Sequence, residues 1–240
     1  MNIALIGYGK MGKVIERIAV ERGHRIVAKI NSSNPLSSID LSSADMAIEF
    51  TRPNLAVPHI EYCLSKQLPI VVGTTAWEED LDQITELVKE KNGSLLYASN
   101  FSIGVNIFFE INKRLAQLMS GQSEYKATLE EIHHLQKIDA PSGTAITLAN
   151  GILEYNNDYI SWVHKEEKSP QTSNHQLGVI SYRKPDVPGT HTISYHSDID
   201  SITITHEAHN RTGFALGAVV AAEWLYQRKG IYTFNDVLNF

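Results

Sequence analysis

Residues 7 to 12 read Gly7-Tyr8-Gly9-Lys10-Met11-Gly12, and their setting constrains the fold more than any other feature of the chain. The string follows a short apolar run, Ile3 to Ile6, and leads into apolar positions at Met11, Val14, Ile15, Ile18 and Ala19, the spacing of one helical face. A G-x-G-x-x-G between a strand and a helix is the first turn of a β-α-β unit. Gly7 permits the tight turn, Gly9 lets a pyrophosphate approach the main chain, and Gly12 allows close packing of helix on strand. Tyr8, Lys10 and Met11 complete the loop and the first helical turn, whose free N–H groups and partial positive charge suit a phosphate. The expectation is a dinucleotide site at the head of an open parallel sheet.

The same alternation continues. Apolar runs at Ile26 to Ile30, Met46 to Phe50, Ile70 to Val72 and Leu95 to Ala98 predict four more strands, and Leu81, Ile84, Leu87 and Val88 mark the buried face of a helix between the last two. Repeated β-α-β units imply right-handed crossovers and a parallel sheet. After Ser99 the pattern changes to a helix at Val105 to Met119, a strand at Tyr125 to Ile132 and a helix at Thr144 to Tyr155. Asn156 to Gln176 reads as a long surface loop, and strands follow at Leu177 to Arg183, His191 to Ser197 and Ile202 to His206. Phe214 to Tyr226, rich in Ala and Val, predicts a helix returning to the first domain. The fold class is therefore α/β: a Rossmann-like dinucleotide-binding domain over residues 1–104, completed by a C-terminal helix over 212–240, and a second α+β domain with an open mixed sheet over 105–211.

Composition narrows the function classes. The 240 residues are 42% apolar and 20% charged, and no apolar run approaches the ~18 residues of a membrane span, so the reading is a soluble globular protein with no membrane partner. The N-terminal stretch lacks a basic region and a cleavage site, and a single cysteine, Cys63, excludes a disulfide framework, so the expected location is cytoplasmic. Twenty-one Lys and Arg against 27 Asp and Glu leave a formal charge of −6, which argues against nucleic-acid binding and requires any anion site to be local.

An Asp or Glu ending the second strand would hold the ribose hydroxyls of NAD. Here the strand ends Lys29-Ile30-Asn31-Ser32-Ser33. Asn31 can hydrogen-bond a ribose without repelling a 2′-phosphate, and Lys29, Ser32 and Ser33 could receive one, so NADPH is at least as well suited as NADH. Gly73-Thr74-Thr75 and Ser99-Asn100-Phe101 follow the fourth and fifth strands, where ligands of open α/β sheets bind, and are candidates for the nicotinamide half.

The densest chemistry lies in Glu131-Ile132-His133-His134-Leu135-Gln136-Lys137-Ile138-Asp139-Ala140-Pro141-Ser142-Gly143-Thr144. Pro141 stops the preceding element, Ser142 is an N-cap candidate, and the N–H groups of Gly143 and Thr144 would face out of a helix start, where a carboxylate fits. Lys137 adds a mobile positive charge, and one histidine can transfer a proton while its neighbour binds substrate. Adjacent strand side chains point to opposite faces, so His133 and His134 do not favour chelation, and no metal is expected. His191, His196, His206 and His209 sit on or after strands that could line the same cleft, and Arg211, before the closing helix, could add a further cation.

These segments, together with Asn100 to Asn106 and Gly189-Thr190-His191-Thr192, resemble the 4-hydroxy-tetrahydrodipicolinate reductase family, and the resemblance covers nearly the whole chain. It implies an NAD(P)H-dependent oxidoreductase of the diaminopimelate and lysine pathway that acts on a small cyclic dicarboxylate. It also implies His133 as proton donor or acceptor, Lys137 as proton donor, and His134, Gly143 and Thr144 as substrate contacts. A homotetramer built through the sheet of the second domain is implied too, and Ile193, Tyr195, Ile202 and Ile204 are expected to give that sheet an apolar face for it. Asn31 departs from the acid many members carry. A thiol-dependent aldehyde dehydrogenase would need a nucleophile, and Cys63 falls in a predicted helix away from the dense motif. A non-enzymatic dinucleotide sensor would not need a His-His-x-x-Lys cluster.

Overall fold

The computed structural model describes residues 1–166, 175–210 and 212–240, and the chain divides into two compact units, Met1–Ile103 with Thr212–Phe240, and Gly104–Arg211. Arg211 itself lies outside the described residues.

In the first unit, β1 (Asn2–Ile6), β2 (Arg25–Ile30), β3 (Met46–Glu49), β4 (Ile70–Val72), β5 (Ser94–Tyr97) and β11 (Gly230–Thr233) form one sheet in the order β11-β5-β4-β3-β1-β2, every pairing parallel. Alternate strand residues feed two separate cores, as a side-chain period of two requires. Ile3, Leu5, Ile48, Val71 and Leu96 pack with α1 (Lys10–Glu21) and α6 (Thr212–Leu225), while Ala4, Ile6, Ala47, Ile70, Val72 and Leu95 pack with α2 (Pro53–Ser65) and α3 (Leu81–Glu90). Burial on both faces is why these strands read as unbroken apolar runs. Gly7 sits at φ +99°, and a Cβ there would lie 1.9 Å from the Phe50 carbonyl oxygen, so only glycine permits the turn out of β1.

The predicted C-terminal helix is a correction. Helix α6 ends at Leu225, Gly230 adopts φ +121°, and the chain then adds β11 to the edge of the sheet before the short α7 (Phe234–Leu238). A capping box between Thr233 and Asp236 starts α7. Gly-Ile-Tyr-Thr is too short to show a period, and its strand character comes from pairing with β5.

The second unit holds α4 (Ile103–Met119), β6 (Lys126–His133), α5 (Gly143–Tyr155), β7 (Ser161–Glu166), β8 (Gln176–Arg183), β9 (Gly189–His196) and β10 (Ser201–Ala208). Its sheet runs β10-β9-β6-β8-β7, antiparallel on the β9 side of β6 and parallel on the β8 side. The surface loop expected over 156–176 is corrected, because Ser161–Glu166 forms the edge strand β7 against β8; residues 167–174 lie outside the described residues. Polar side chains hide that strand's alternation, and Trp162 anchors it through its ring N–H to Asn150 Oδ1 at 3.0 Å.

The expected apolar sheet face is present only in part, since Ile202 is 41% exposed and the other three residues are not. Ile193 and Tyr195 are fully buried in the core of their own unit, and Ile202 and Ile204 pair with them in register on the same side. The opposite side carries hydroxyl pairs, Thr192 with Thr205 at 3.1 Å and Ser194 with Thr203 at 3.0 Å. Among the described residues, no helix is long and apolar enough to cross a membrane.

Candidate active site

In the first unit, the C-terminal ends of β1, β3 and β4 surround a cleft of about 310 Å³ lined by Gly7, Gly9, Lys10, Met11, Phe50, Thr51, Pro53, Gly73, Thr74 and Thr75. Gly9 is the N-cap of α1, with no side chain bonded into the helix start and no acidic residue in the first turn. The first-turn N–H groups are thus left for an anion. A Cβ on Gly9 would meet nothing within 4 Å, so the main chain is open from that side, whereas one on Gly12 would lie 2.7 Å from the Gly7 carbonyl oxygen. The cleft therefore fits a pyrophosphate, with Gly12 serving the packing of helix on strand. The Thr51 N–H donates to Thr74 Oγ1 at 2.7 Å, the Thr51 hydroxyl donates to the buried Glu49, and the Trp77 ring N–H donates to the Thr74 carbonyl at 2.8 Å. These bonds tie the loops after β3 and β4 together. Phe50, Thr51 and Pro53 escaped the sequence reading, although their place after the third strand is equivalent to that of Gly73 after the fourth.

The other expected dinucleotide contacts are not part of this lining. The Tyr8 hydroxyl donates to Glu16, and Lys29 Nζ lies 2.7 Å from the same carboxylate and 4.8 Å from the Tyr8 ring centre. Hydrogen bonds from Lys29 first and Tyr8 second hold the Glu16 carboxyl below its usual range. Lys29, expected to be available to a phosphate, is thus already paired. Asn31 Oδ1 accepts from the N–H groups of Ser33 and Asn34 at 2.9 and 3.0 Å, an Asx turn, with Ser32 exposed at its tip. Ser99 is exposed, Asn100 Oδ1 accepts from the Ser102 N–H at 2.8 Å, and the Phe101 side chain is core, packed between Phe50 and Phe234 at 5.8 and 5.2 Å. Phe101 can therefore offer a ligand its main chain and not its ring.

In the second unit, the Glu131–Thr144 segment folds as the end of β6, a turn and the start of α5. Ser142 caps α5 by accepting from the Ala145 N–H at 3.1 Å, leaving the N–H groups of Gly143 and Thr144 with no partner among the described residues. A Cβ on Gly143 would meet nothing within 4 Å, so an anion can approach that helix start closely. Lys137 is not a free charge, because its Nζ bonds both oxygens of Asp139 at 2.9 Å. Burial works against the Asp139 carboxylate, but the bond and the charge of Lys137, with a backbone hydrogen bond, together hold the group below its usual range. Arg183 fixes the loop beneath, donating to the carbonyls of Lys137 at 3.2 Å and Asp139 at 2.7 Å.

His133 faces inward and is 7% exposed, and burial pushes its imidazole down to about 4 against the opposing pull of Glu131. His134, next to it, is half-buried, with Nδ1 unpartnered among the described residues. Glu131 Oε2 lies 3.4 Å from His133 Nδ1 and 3.6 Å from His191 Nε2. Burial alone would raise the Glu131 carboxyl, but bonds from His191, Ser142 and Ser181 hold it at about 2. The ligand-type atoms of Glu131, His133 and His191 lie within 4.8 Å of one another, a donor set that a divalent cation accepts; here Glu131 is bonded to Ser142 and Ser181, and His191 Nε2 lies 3.2 Å from Ser142 Oγ. Of the further histidines, His191 joins this cluster and His206 neighbours it in register on β10, while His196 lies on the opposite side, bonded to Ser201 at 2.6 Å. Cys63 is buried in α2 with its thiol pushed up to about 12, by burial first and the Glu49 charge second, so it provides no thiolate.

One unit thus offers a place for a dinucleotide and the other a set of proton-transfer and anion-binding groups, the make-up of a two-domain NAD(P)H-dependent oxidoreductase. Residues 1–101 match the family described as "Dihydrodipicolinate reductase, N-terminus" and residues 104–238 the one described as "Dihydrodipicolinate reductase, C-terminus". The chain is 47% identical to a 4-hydroxy-tetrahydrodipicolinate reductase of Christiangramia forsetii over 100% of this chain and 98% of the relative, and 33% identical to that of Staphylococcus epidermidis over 99% and 100%. Among solved structures, a dipicolinate-bound dihydrodipicolinate reductase from Paenisporosarcina sp. TG-14 shares the fold at a TM-score of 0.75 and 24% identity, covering 98% of this chain and 99% of the other. An aspartate semialdehyde dehydrogenase II from Vibrio cholerae shares it less closely, at 0.54 and 11% identity over 93% and 97%. The chain belongs to the dihydrodipicolinate reductase family.

Proposed function

We propose that this protein reduces 4-hydroxy-tetrahydrodipicolinate to tetrahydrodipicolinate, with loss of water, in diaminopimelate and lysine biosynthesis. The observation that carries the reading is the single fold of the E-x-H-H-x-x-K-x-D-A-P-S-G-T segment, which sets a lysine, two histidines and an open helix start on one turn of chain. A bound nicotinamide supplies a hydride to the ring carbon that carried the hydroxyl. The neighbouring ring carbon then needs a proton, and the Lys137 ammonium is suited to give it. His133, a neutral imidazole at pH 7, is suited to take the ring proton lost in the dehydration and pass it to the departing hydroxyl, which leaves as water. The N–H groups of Gly143 and Thr144, with His134, bind a carboxylate of the substrate. The reading is tested by steady-state oxidation of NADPH and NADH with enzymatically generated 4-hydroxy-tetrahydrodipicolinate.

Gly7, Gly9, Lys10, Met11, Gly73, Thr74 and Thr75 hold the dinucleotide, with Tyr8, Asn31 and Ser32 toward its adenine ribose and Ser99, Asn100 and the Phe101 main chain toward the nicotinamide. Both NADPH and NADH serve, since no carboxylate ends β2 and the Lys29 charge is compensated by Glu16. Asn31→Asp is expected to shift preference toward NADH. An aspartate keeps the oxygen that accepts from Ser33 and Asn34, so the turn is retained, and the added charge repels a 2′-phosphate by about 1 to 3 kcal/mol per unit charge pair at ~5 Å. The check is the ratio of kcat/KM for NADPH to that for NADH, measured at one ionic strength. An unchanged or higher ratio in the variant would remove Asn31 from the ribose site.

The assembly follows the resemblance: a homotetramer through the five-stranded sheet. Its support is the side of β9 and β10 on which the Thr192–Thr205 and Ser194–Thr203 pairs are exposed. Light scattering at micromolar concentration is expected to give four times 26.8 kDa, and a monomeric mass would defeat it. A cytoplasmic location fits the single cysteine, kept as a buried thiol.

A further inference from the structure

Glu131 is wholly buried, and neither the fold nor a direct part in proton transfer accounts for a charge there. An isolated carboxylate in such a place is costly, so its partners define its use. Register supplies two of them: on β6 it stands opposite Ser181 of β8 on one side and His191 of β9 on the other. Ser181 Oγ donates to Oε1 at 2.6 Å, and the Ser142 N–H reaches both oxygens at 3.0 and 3.2 Å. Since the Ser181 hydrogen is used on Glu131, its oxygen accepts from His164 Nε2 at 3.0 Å. Oε2 faces the two imidazoles, and Ser142 Oγ lies 3.2 Å from His191 Nε2.

We infer that Glu131 is a positioning residue that orients His133 and the start of α5 together: its Oε2 draws the imidazole proton to Nδ1, and its hold on the Ser142 N–H sets the anion-binding N–H groups of Gly143 and Thr144. The inference rests on the roles given to His133 and α5 above. His133 Nδ1 is buried and makes no hydrogen bond among the described residues, and the carboxylate oxygen lies 3.4 Å from it. A negative oxygen there favours an N–H and disfavours a lone pair, leaving Nε2 as the nitrogen that exchanges protons. Gly189 leaves room for the ring on the other side, since a Cβ at that position would stand 3.0 Å from Nε2. The other charged or titratable groups around the ring are His191 on β9, Lys137 and Asp139 on the turn, and Arg183 at the end of β8.

The test compares Glu131→Gln and Glu131→Asp with the unaltered enzyme, using nitrogen-15 spectra of labelled histidine at pH 7, assigned with His133→Gln, alongside steady-state kinetics. The unaltered protein is expected to show His133 with its proton on Nδ1. In Glu131→Gln the amide can donate to Nδ1, so the proton moves to Nε2 and kcat falls on the order of 100-fold or more while dinucleotide affinity holds, as expected when an imidazole is held in the wrong tautomer. Glu131→Asp, which keeps the charge, restores the Nδ1 tautomer and part of kcat. An Nε2 proton in the unaltered protein overturns the inference even if no variant folds, and so does an unchanged kcat in Glu131→Gln. Absence of turnover by the unaltered enzyme would instead refute the proposed reaction, while the spectra would still decide the tautomer.

Discussion

Replacing Lys137 or His133 by alanine is expected to lower kcat by about 100- to 10,000-fold, the usual effect of removing a general acid or base, with dinucleotide affinity near that of the unaltered enzyme. The two residues belong to the second unit, whereas the cleft that fits a dinucleotide is built from residues of the first. Neither change should unfold the protein. Loss of Lys137 leaves Asp139 without its partner, but the Asp139 side chain is 59% exposed, and water replaces an exposed ion pair at small cost. Loss of the His133 ring leaves Glu131 with the Ser142 N–H and the Ser181 hydroxyl. Stopped-flow fluorescence of NADPH binding, set beside single-turnover rates, checks the split. Near-normal turnover in both variants would remove the proton-transfer assignment.

Gly9→Val is expected to abolish dinucleotide binding in a protein that stays folded. A Cβ at this position meets nothing within 4 Å, so the valine branches project into space left over the helix start and occupy the approach of the pyrophosphate. Gly9 has a negative φ, −100°, and as an N-cap it uses no side chain. The cost of valine at an N-cap is on the order of 1 kcal/mol, a fraction of the 5 to 15 kcal/mol that typically separates folded from unfolded protein. Gly7 is the contrasting case, since a Cβ there collides with the Phe50 carbonyl and the φ is positive, so alanine should disturb the fold itself. Isothermal titration with NADPH and the thermal midpoint of Gly9→Val test both halves. Retained affinity would show that the glycine serves only the turn.

The parallel sheet was legible in the sequence because its strands are buried on both faces and therefore appear as continuous apolar runs. β7 and β11 were not, because their strand character comes from partners distant in sequence. Ser161–Glu166 holds few apolar residues and Gly230–Thr233 is a bare four, and each is ordered by pairing with β8 and β5. The alternation of Ile193 and Tyr195 was correctly seen, but alternation does not say which side a helix covers. The site divides along the same line. His133, Lys137 and the Ser142 cap are neighbours in sequence and could be grouped by spacing. The place of Glu131 between Ser181 and His191 depends on cross-strand register over gaps of 50 and 60 residues, which no local pattern carries. The pairing of Lys29 with Glu16 was hidden for the same reason, joining β2 to a helix that precedes it.

The most direct test of the proposed reaction follows the hydride itself. The enzyme is given NADPH deuterated at nicotinamide C4 on both faces, with freshly generated 4-hydroxy-tetrahydrodipicolinate, and the product is examined by mass spectrometry and NMR. The account predicts a single deuterium on the ring carbon that carried the hydroxyl, one product formed per nucleotide oxidised, and formation of that product slowed by about 100- to 10,000-fold in Lys137→Ala. Nucleotide oxidation with no deuterium in the ring, or no oxidation with this substrate, would contradict it.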